Sequence, residues 1–209
     1  MAEITLQDIA HSYNSEAADK TYALNRFDMK WVDGGRYAIL GPSGCGKTTM
    51  LNIMSGIVRP SEGRLLFDGV DVIDHTTAER NIAQVFQFPV IYGTMTVQDN
   101  LAFPLVCRGY DKAFIKAKVA EVSEALNLEG LLTQSANKLT ADQKQLISLG
   151  RGLVRDNVAA VLMDEPLTVI DPDLKFRLRR KLKEINQKYR STLIYVTHDQ
   201  NEAMTFAEN

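Results

Sequence analysis

An α/β fold, with a mostly parallel sheet and a small antiparallel part, is predicted by three features of this 209-residue chain. Residues 159–163 are an uninterrupted apolar run, the pattern of a strand buried on both faces, and residues 192–196 read as a second buried strand. Stretches of helical spacing alternate with such strands, and that alternation favours a parallel sheet. Early strands over residues 4–9 and 27–32 point to the smaller, antiparallel part.

The elements follow in order. Ile4, Leu6 and Ile9 alternate with other residues, with one slip, and predict a strand. Residues 14–20 are polar and predict a loop. Gly34 and Gly35 form a turn before a short apolar strand over 36–40. Glycine-rich sequence leads into a helix over 47–55, and a turn at 60–63 into a strand over 64–67. Thr96 caps a helix over 97–106. Phe114, Val119, Val122 and Leu126 give helical spacing over 111–126, and a further helix starts after Leu139. The 159–163 strand ends in Asp164-Glu165-Pro166. An amphipathic, Lys- and Arg-rich helix covers 174–189, and another begins at Asn201. No repeat or low-complexity tract interrupts the sequence.

Composition narrows the function. With 45% hydrophobic and 24% charged residues, the chain is ordinary for a globular protein. The net charge of −2 and pI near 5.9 give no basic field, so no nucleic-acid partner is expected. No stretch approaches the ~18 apolar residues that span a bilayer. The first ten residues carry Glu3 and Asp8 and lack a basic segment followed by an apolar core, so they do not read as a secretory signal. A cytosolic location is predicted, and Cys45 and Cys107 fit it, having neither metal-ligand spacing nor a disulfide framework.

Residues 41–48 read Gly41-Pro42-Ser43-Gly44-Cys45-Gly46-Lys47-Thr48, the complete pattern of a nucleoside-triphosphate loop between a strand and a helix. Glycines let backbone N–H groups converge on phosphate oxygens, and the helix N-terminus adds partial positive charge. Lys47 would reach the β- and γ-phosphates, and the Thr48 hydroxyl would bind Mg²⁺. The loop alone leaves kinase, GTPase and ATPase open. Asp164 ends a buried strand, where nucleotide sites of parallel sheets form, and is placed to hold Mg²⁺. Glu165 follows it and can orient and deprotonate a water. Taken singly, Glu165 also fits an exposed acid at a strand end, His198 a polar residue at a helix start, and Gln87 a solvated loop residue.

The order of these pieces resembles the nucleotide-binding domain of ABC transporters over nearly the whole chain. Gly41 through Thr49 resembles the family's phosphate loop and is the stretch expected to bind ATP. Val85-Phe86-Gln87 resembles its Q-loop, Val161-Leu162-Met163-Asp164-Glu165-Pro166 its Walker B strand with the catalytic glutamate, and Val196-Thr197-His198-Asp199-Gln200 its switch-histidine segment. The resemblance implies catalytic roles for Glu165, His198, Lys47 and Gln87, and a magnesium set of Thr48, Gln87 and Asp164. Tyr13 falls where the family places an aromatic that stacks on adenine. Glu79-Arg80-Asn81-Ile82 and the 197–204 segment resemble most closely the ATPases of sugar and polyol importers, the maltose-transporter group. That implies a P-loop NTPase fold with its core in residues 1–86 and 158–209 and a helical subdomain near 88–156. It implies ATP and Mg²⁺ as ligands, a second ATPase subunit, transmembrane permease subunits, an external solute-binding protein reached indirectly, and a peripheral place on the cytoplasmic face of the membrane. Residues 88–105 would face the permease. Family members continue past the switch histidine with further strands and often a regulatory domain, which are expected to be absent from these 209 residues.

One segment departs from the family. Where the signature Leu-Ser-Gly-Gly-Gln is expected, this chain has Leu139-Thr140-Ala141-Asp142-Gln143. The signature acts on the nucleotide of the opposite subunit, so the residues concerned in trans are Thr140, Ala141, Asp142 and Gln143. Both glycines are replaced, and Asp142 adds a negative charge facing a polyanion. Thr140 and Gln143 keep capping-box spacing, so the helix itself should start normally. The expectation is an asymmetric heterodimer in which a related ATPase with a better signature completes the site built on this chain. The rivals are a nucleotide-binding regulatory or structural subunit without turnover, and a soluble ABC ATPase of DNA repair or translation.

Overall fold

The computed structural model describes residues 2–14, 21–155, 157–168 and 170–207; the loop expected over 14–20 lies, after Asn14, outside them. In chain order the elements are strands β1 (Ile4–His11), β2 (Leu24–Trp31) and β3 (Arg36–Leu40), helix α1 (Lys47–Ser55), strands β4 (Glu62–Phe67) and β5 (Val70–Asp71), helix α2 (Thr77–Arg80) and strand β6 (Ala83–Val85). Helices α3 (Val97–Val106), α4 (Lys112–Ala125) and α5 (Ala141–Leu153) follow, then β7 (Val161–Asp164), α6 (Pro172–Tyr189), β8 (Leu193–Thr197) and α7 (Gln200–Phe206). The chain forms two compact units: Met1–Gln84 with Asn157–Asp164 and Ile185–Asn209, and Val85–Asp156 with Glu165–Glu184.

The first unit carries both sheets. One has the order β2-β1-β4-β5, and β1 pairs antiparallel with β2 and β4. The other has the order β3-β8-β7-β6, with β8 parallel to β3 and β7. The slip in the β1 alternation has a structural cause. The register shifts between Leu6 and Ile9, and Asp8 takes a left-handed φ of 50°. A bulge of this kind inserts one residue and returns the next apolar side chain to the same face, so Ile4, Leu6 and Ile9 are all buried. They share a core with Leu51, Ile53 and Met54 of α1, Leu162 of β7, and Ile194 and Val196 of β8. All residues of β7 and β8 are buried, as the apolar runs 161–163 and 193–196 require.

The second unit is helical. Leu101 and Leu105 of α3, Val119 and Val122 of α4, and Leu146, Leu149 and Leu153 of α5 are buried in it. Gly150 permits close helix contact: a Cβ there would lie 2.5 Å from the Leu101 side chain. Both capped starts expected from sequence are present. Thr96 and Asp99 form a capping box on α3, and Thr140 and Gln143 form one on α5. Helix α6 begins two residues before the expected position. Asp171 accepts from the Asp173 and Leu174 amides, and Pro172 takes the first helical position, where its missing N–H costs nothing.

Helix α2 is an element that apolar spacing does not announce. Thr76 and Glu79 cap it reciprocally, and it delivers Arg80 into the core at 3% exposure. The guanidinium donates to the carbonyls of Ile53, Met54, Ile73 and His75. Two of these lie in the last turn of α1, where carbonyls carry partial negative charge, and the Ile53 carbonyl also accepts from the Gly56 amide at 3.2 Å. Burial lowers the Arg80 pKa, while Asp71 and Asp74 raise it. Replacing Arg80 by Met is expected to destabilise the chain by about 2–4 kcal/mol, because buried acceptors lose their donor. A lower urea midpoint at unchanged m would show it; an unchanged midpoint would show that water replaces the guanidinium.

Candidate functional site

Strand β3 ends at Leu40 and α1 begins at Lys47, so the loop between them is short and steeply turned. Gly44 and Gly46 adopt left-handed φ values of 82° and 93°, open to glycine at little cost. A Cβ on Gly46 would come within 2.5 Å of the Ala23 carbonyl oxygen, and one on Gly41 within 2.7 Å of Cys45 Sγ. The backbone itself therefore forms the inner wall of the loop. Lys47 Nζ donates to the carbonyls of Gly41 and Pro42, at 2.7 Å each, which folds the cation over the loop.

Thr48 Oγ1 donates to Asp164 Oδ2 at 2.6 Å. These two residues are 116 positions apart, and the motif of each points to Mg²⁺. Asp164 is 6% exposed. A hydroxyl and a carboxylate in contact offer the hard oxygen donors that Mg²⁺ takes from protein, the rest coming from phosphate and water, so the residues present fit the ion.

Sheet register explains the convergence. Leu40 is level with Thr197, and Asp164 with Val196. Gly41 and His198 thus leave the sheet side by side at its carboxyl edge, beside the end of β7. The His198 segment is anchored: Asp199 caps α7 through the Asn201 and Glu202 amides. The buried Glu202 carboxylate accepts from the hydroxyls of Tyr195 and Thr197. Tyr13 is also brought to the loop. Its hydroxyl lies 3.3 Å from Thr49 Oγ1, its ring meets His11 edge to face at 4.5 Å, and the side of Tyr13 that faces outward leaves it 65% exposed. Burial lowers the His11 pKa, which favours the neutral ring.

Gln87, Glu165 and residues 140–143 belong to the second unit. Gln87 is exposed, Glu165 half-buried, Thr140 and Ala141 exposed, and Asp142 and Gln143 half-buried. Glu165 holds a left-handed φ of 45° directly before Pro166, a conformation doubly disfavoured for a residue with a Cβ. Thr168 steadies it by donating to the Glu165 carbonyl from both its amide, at 3.2 Å, and its hydroxyl, at 3.0 Å. The Thr140 hydroxyl donates to Asp142 Oδ1, and the Thr140 amide to Gln143 Oε1 at 3.1 Å.

The model of the ABC transporter family matches residues 24–168. The chain belongs to the ABC transporter family. Among curated relatives, the sn-glycerol-3-phosphate import ATP-binding protein UgpC of Pectobacterium atrosepticum is 38% identical over 208 residues, covering 100% of this chain and 57% of that protein. The trehalose import ATP-binding protein SugC of Mycobacterium tuberculosis is 39% identical, covering 100% of this chain and 52% of that protein. The chain thus spans about half the length of the curated relatives it matches. Among solved structures, the dimeric post-hydrolysis state of the ATP-binding cassette MJ0796 bound to ADP and Pi aligns with a TM-score of 0.86 at 27% identity, covering 97% of this chain and 91% of that one. The family and the fold expected from the motifs are those found.

Gln145 is a site-related residue of this ABC protein that sequence reasoning passed over. It is fully buried, and its amide donates to the carbonyls of Phe86 and Pro166, the neighbours of Gln87 and Glu165. The signal was available: α5 places Gln145 on the inward face with Leu146 and Leu149, a polar residue at a core position.

Proposed function

We propose that this chain binds and hydrolyses ATP to energise solute import through a membrane permease. The Thr48–Asp164 contact at the head of a glycine-walled loop carries this reading, because it brings together the two oxygen donors that a magnesium nucleotide needs. The chain's own residues divide the work. Exchanging the Gly41 and Pro42 carbonyls for phosphate oxygens gives Lys47 charge-assisted hydrogen bonds. His198, fixed by the Asp199 cap, steadies the γ-phosphate. Glu165 removes the proton from the attacking water, and Tyr13 offers its exposed face to adenine. Gln87 is assigned to the water and the ion. Mg²⁺ held by Thr48, Gln87 and Asp164 would neutralise charge on the β- and γ-oxygens.

The names of the relatives support a solute of the sugar or polyol type, such as glycerol or its phosphate; delivery by an external binding protein is part of the proposal. Among the described residues no helix is long and apolar enough to cross a membrane, which suits a subunit docked on permeases at the cytoplasmic face. The outward-facing Phe88, Val90 and Tyr92 are proposed as part of that contact. Ala141 and Asp142 support pairing with a second, related ATPase whose signature completes this chain's site. Two measurements test the reading. Detergent extracts should yield this chain together with two permease subunits and a second ATPase, and recovery free of permeases would overturn the transport assignment. Vesicle-reconstituted complex should hydrolyse ATP at least about 10-fold faster than the chain alone, since pairing supplies the missing transition-state contacts; full activity of the chain alone would overturn the heterodimer.

A further inference from the structure

We infer that Gln145 is a positioning residue for the hydrolytic site, tying the segments that carry Gln87 and Glu165 to helix α5. The inference rests on the ATPase reading above. Gln145 is 0% exposed. Its Nε2 donates to the Phe86 carbonyl at 3.1 Å and to the Pro166 carbonyl at 2.9 Å. A primary amide has two N–H groups, and both are spent on this bridge. Its Oε1 is enclosed without a hydrogen-bond partner. Turning the amide over would satisfy nothing and would set three acceptor oxygens against one another, so the side chain has one workable orientation.

The bridged carbonyls are not arbitrary stretches of backbone. The Phe86 carbonyl belongs to the peptide group that enters Gln87. The Pro166 carbonyl lies one residue beyond Glu165, whose left-handed φ of 45° needs external support, since such conformations persist only where surroundings over-determine them. Thr168 donates to the Glu165 carbonyl and its hydroxyl lies 3.3 Å from Glu165 Oε2, while Gln145 holds the following residue. Relaxation of either hold would let the peptide swing toward an ordinary conformation and carry the Glu165 carboxylate with it.

The third body in this network is α5 itself. Gln145 sits one turn into that helix, whose start is capped by Thr140 and Gln143. Any shift of α5 caused by a neighbouring subunit at residues 140–143 moves the Gln145 amide, and with it two carbonyls beside Gln87 and Glu165. The bridge therefore supplies a short mechanical link from the segment that acts on the opposite nucleotide to this chain's own water-activating residues.

The test uses the reconstituted complex with wild type, Gln145→Leu, Gln145→Glu and Thr168→Val in this chain. Gln145→Leu keeps the volume and removes both donors, and Gln145→Glu places a carboxylate against the two carbonyls. Each is expected to lower kcat by about 10- to 100-fold, as for other supports of reacting groups, with ATP affinity from a fluorescent nucleotide changed less than about 2-fold because the loop at 41–48 is untouched. Thr168→Val, on the exposed side of the same turn, should lower kcat in the same direction while the protein melts as wild type. In a Glu165→Gln background, Gln145→Leu should cost almost nothing more, since coupled groups do not add. Wild-type kcat in Gln145→Leu, or equal losses in kcat, ATP affinity and melting temperature across Gln145→Leu and Thr168→Val, would overturn the inference. Wild-type complex that binds ATP without hydrolysing it would instead sink the ATPase reading, and this inference with it.

Discussion

Glu165→Gln is expected to reduce ATP turnover by about 10²- to 10⁴-fold, the usual contribution of a positioned general base, with nucleotide binding retained. The asymmetry follows from where the residue stands. In the proposed site, binding is assigned to Lys47, Thr48 and Asp164, which are joined by the loop contacts of Lys47 and the Thr48–Asp164 hydrogen bond. Glu165 contributes its carboxylate one residue beyond β7, and the Thr168 hydroxyl donates to its carbonyl at 3.0 Å and lies 3.3 Å from its Oε2. Glutamine has the same reach and the same backbone demands, and its amide oxygen can still accept from Thr168, so the main loss is basicity. The variant complex should therefore accumulate uncleaved ATP. Single-turnover hydrolysis, with nucleotide extracted from washed complex, would show it. A turnover equal to wild type would remove Glu165 from the chemistry and favour a regulatory subunit.

Chemistry set by adjacent residues was legible in the sequence, because phosphate binding needs backbone N–H groups that converge locally. Residues 41–48 form the expected loop, and the helix after it runs over the expected 47–55. The caps at Thr96 and Thr140 were legible for the same reason, since a reciprocal box involves residues only three apart. Asp164 was placed near the loop by its strand end, and the Thr48 contact across 116 positions agrees with that placement. The hidden features depend on partners that no residue type announces. Arg80 and Gln145 both donate to main-chain carbonyls, and a carbonyl has the same identity at every position of the chain. The β1 slip at Asp8 was visible as an irregular alternation, but its cause lies with a cross-strand neighbour. A Cβ on Gly63 would stand 2.5 Å from the Asp8 carbonyl oxygen, so the bulge and that glycine require each other.

Restoring glycine at both departures, Ala141→Gly with Asp142→Gly, is expected to raise ATP turnover by this chain alone by up to about 10³-fold. The magnitude comes from charge. Two unit charges about 4 Å apart repel by about 4 kcal/mol at an effective dielectric of about 20, which sets an upper bound for Asp142 facing a γ-phosphate. The structure shows how the segment tolerates that aspartate. Its carboxylate accepts from the Thr140 hydroxyl in the first turn of α5, where a helix N-terminus favours negative charge. Asp142 thereby sets its own carboxylate against the partial positive charge of that helix start. The double variant should accordingly be less stable, by about 0.3–1 kcal/mol for the lost dipole interaction and about 1 kcal/mol for each glycine in a helix. Opposite movements of stability and turnover form a specific signature. Asp142→Asn alone separates the contributions: it keeps the bulk and removes the charge, so it should recover most of the gain if repulsion dominates and little if the Cβ atoms obstruct approach. ATPase rates of the purified chain across concentration, with thermal melts of each variant, provide the measurement. A double-glycine variant no more active than wild type, in a chain that dimerises on binding ATP, would mean that residues 140–143 do not limit hydrolysis, and the case for an asymmetric partner would lose its basis.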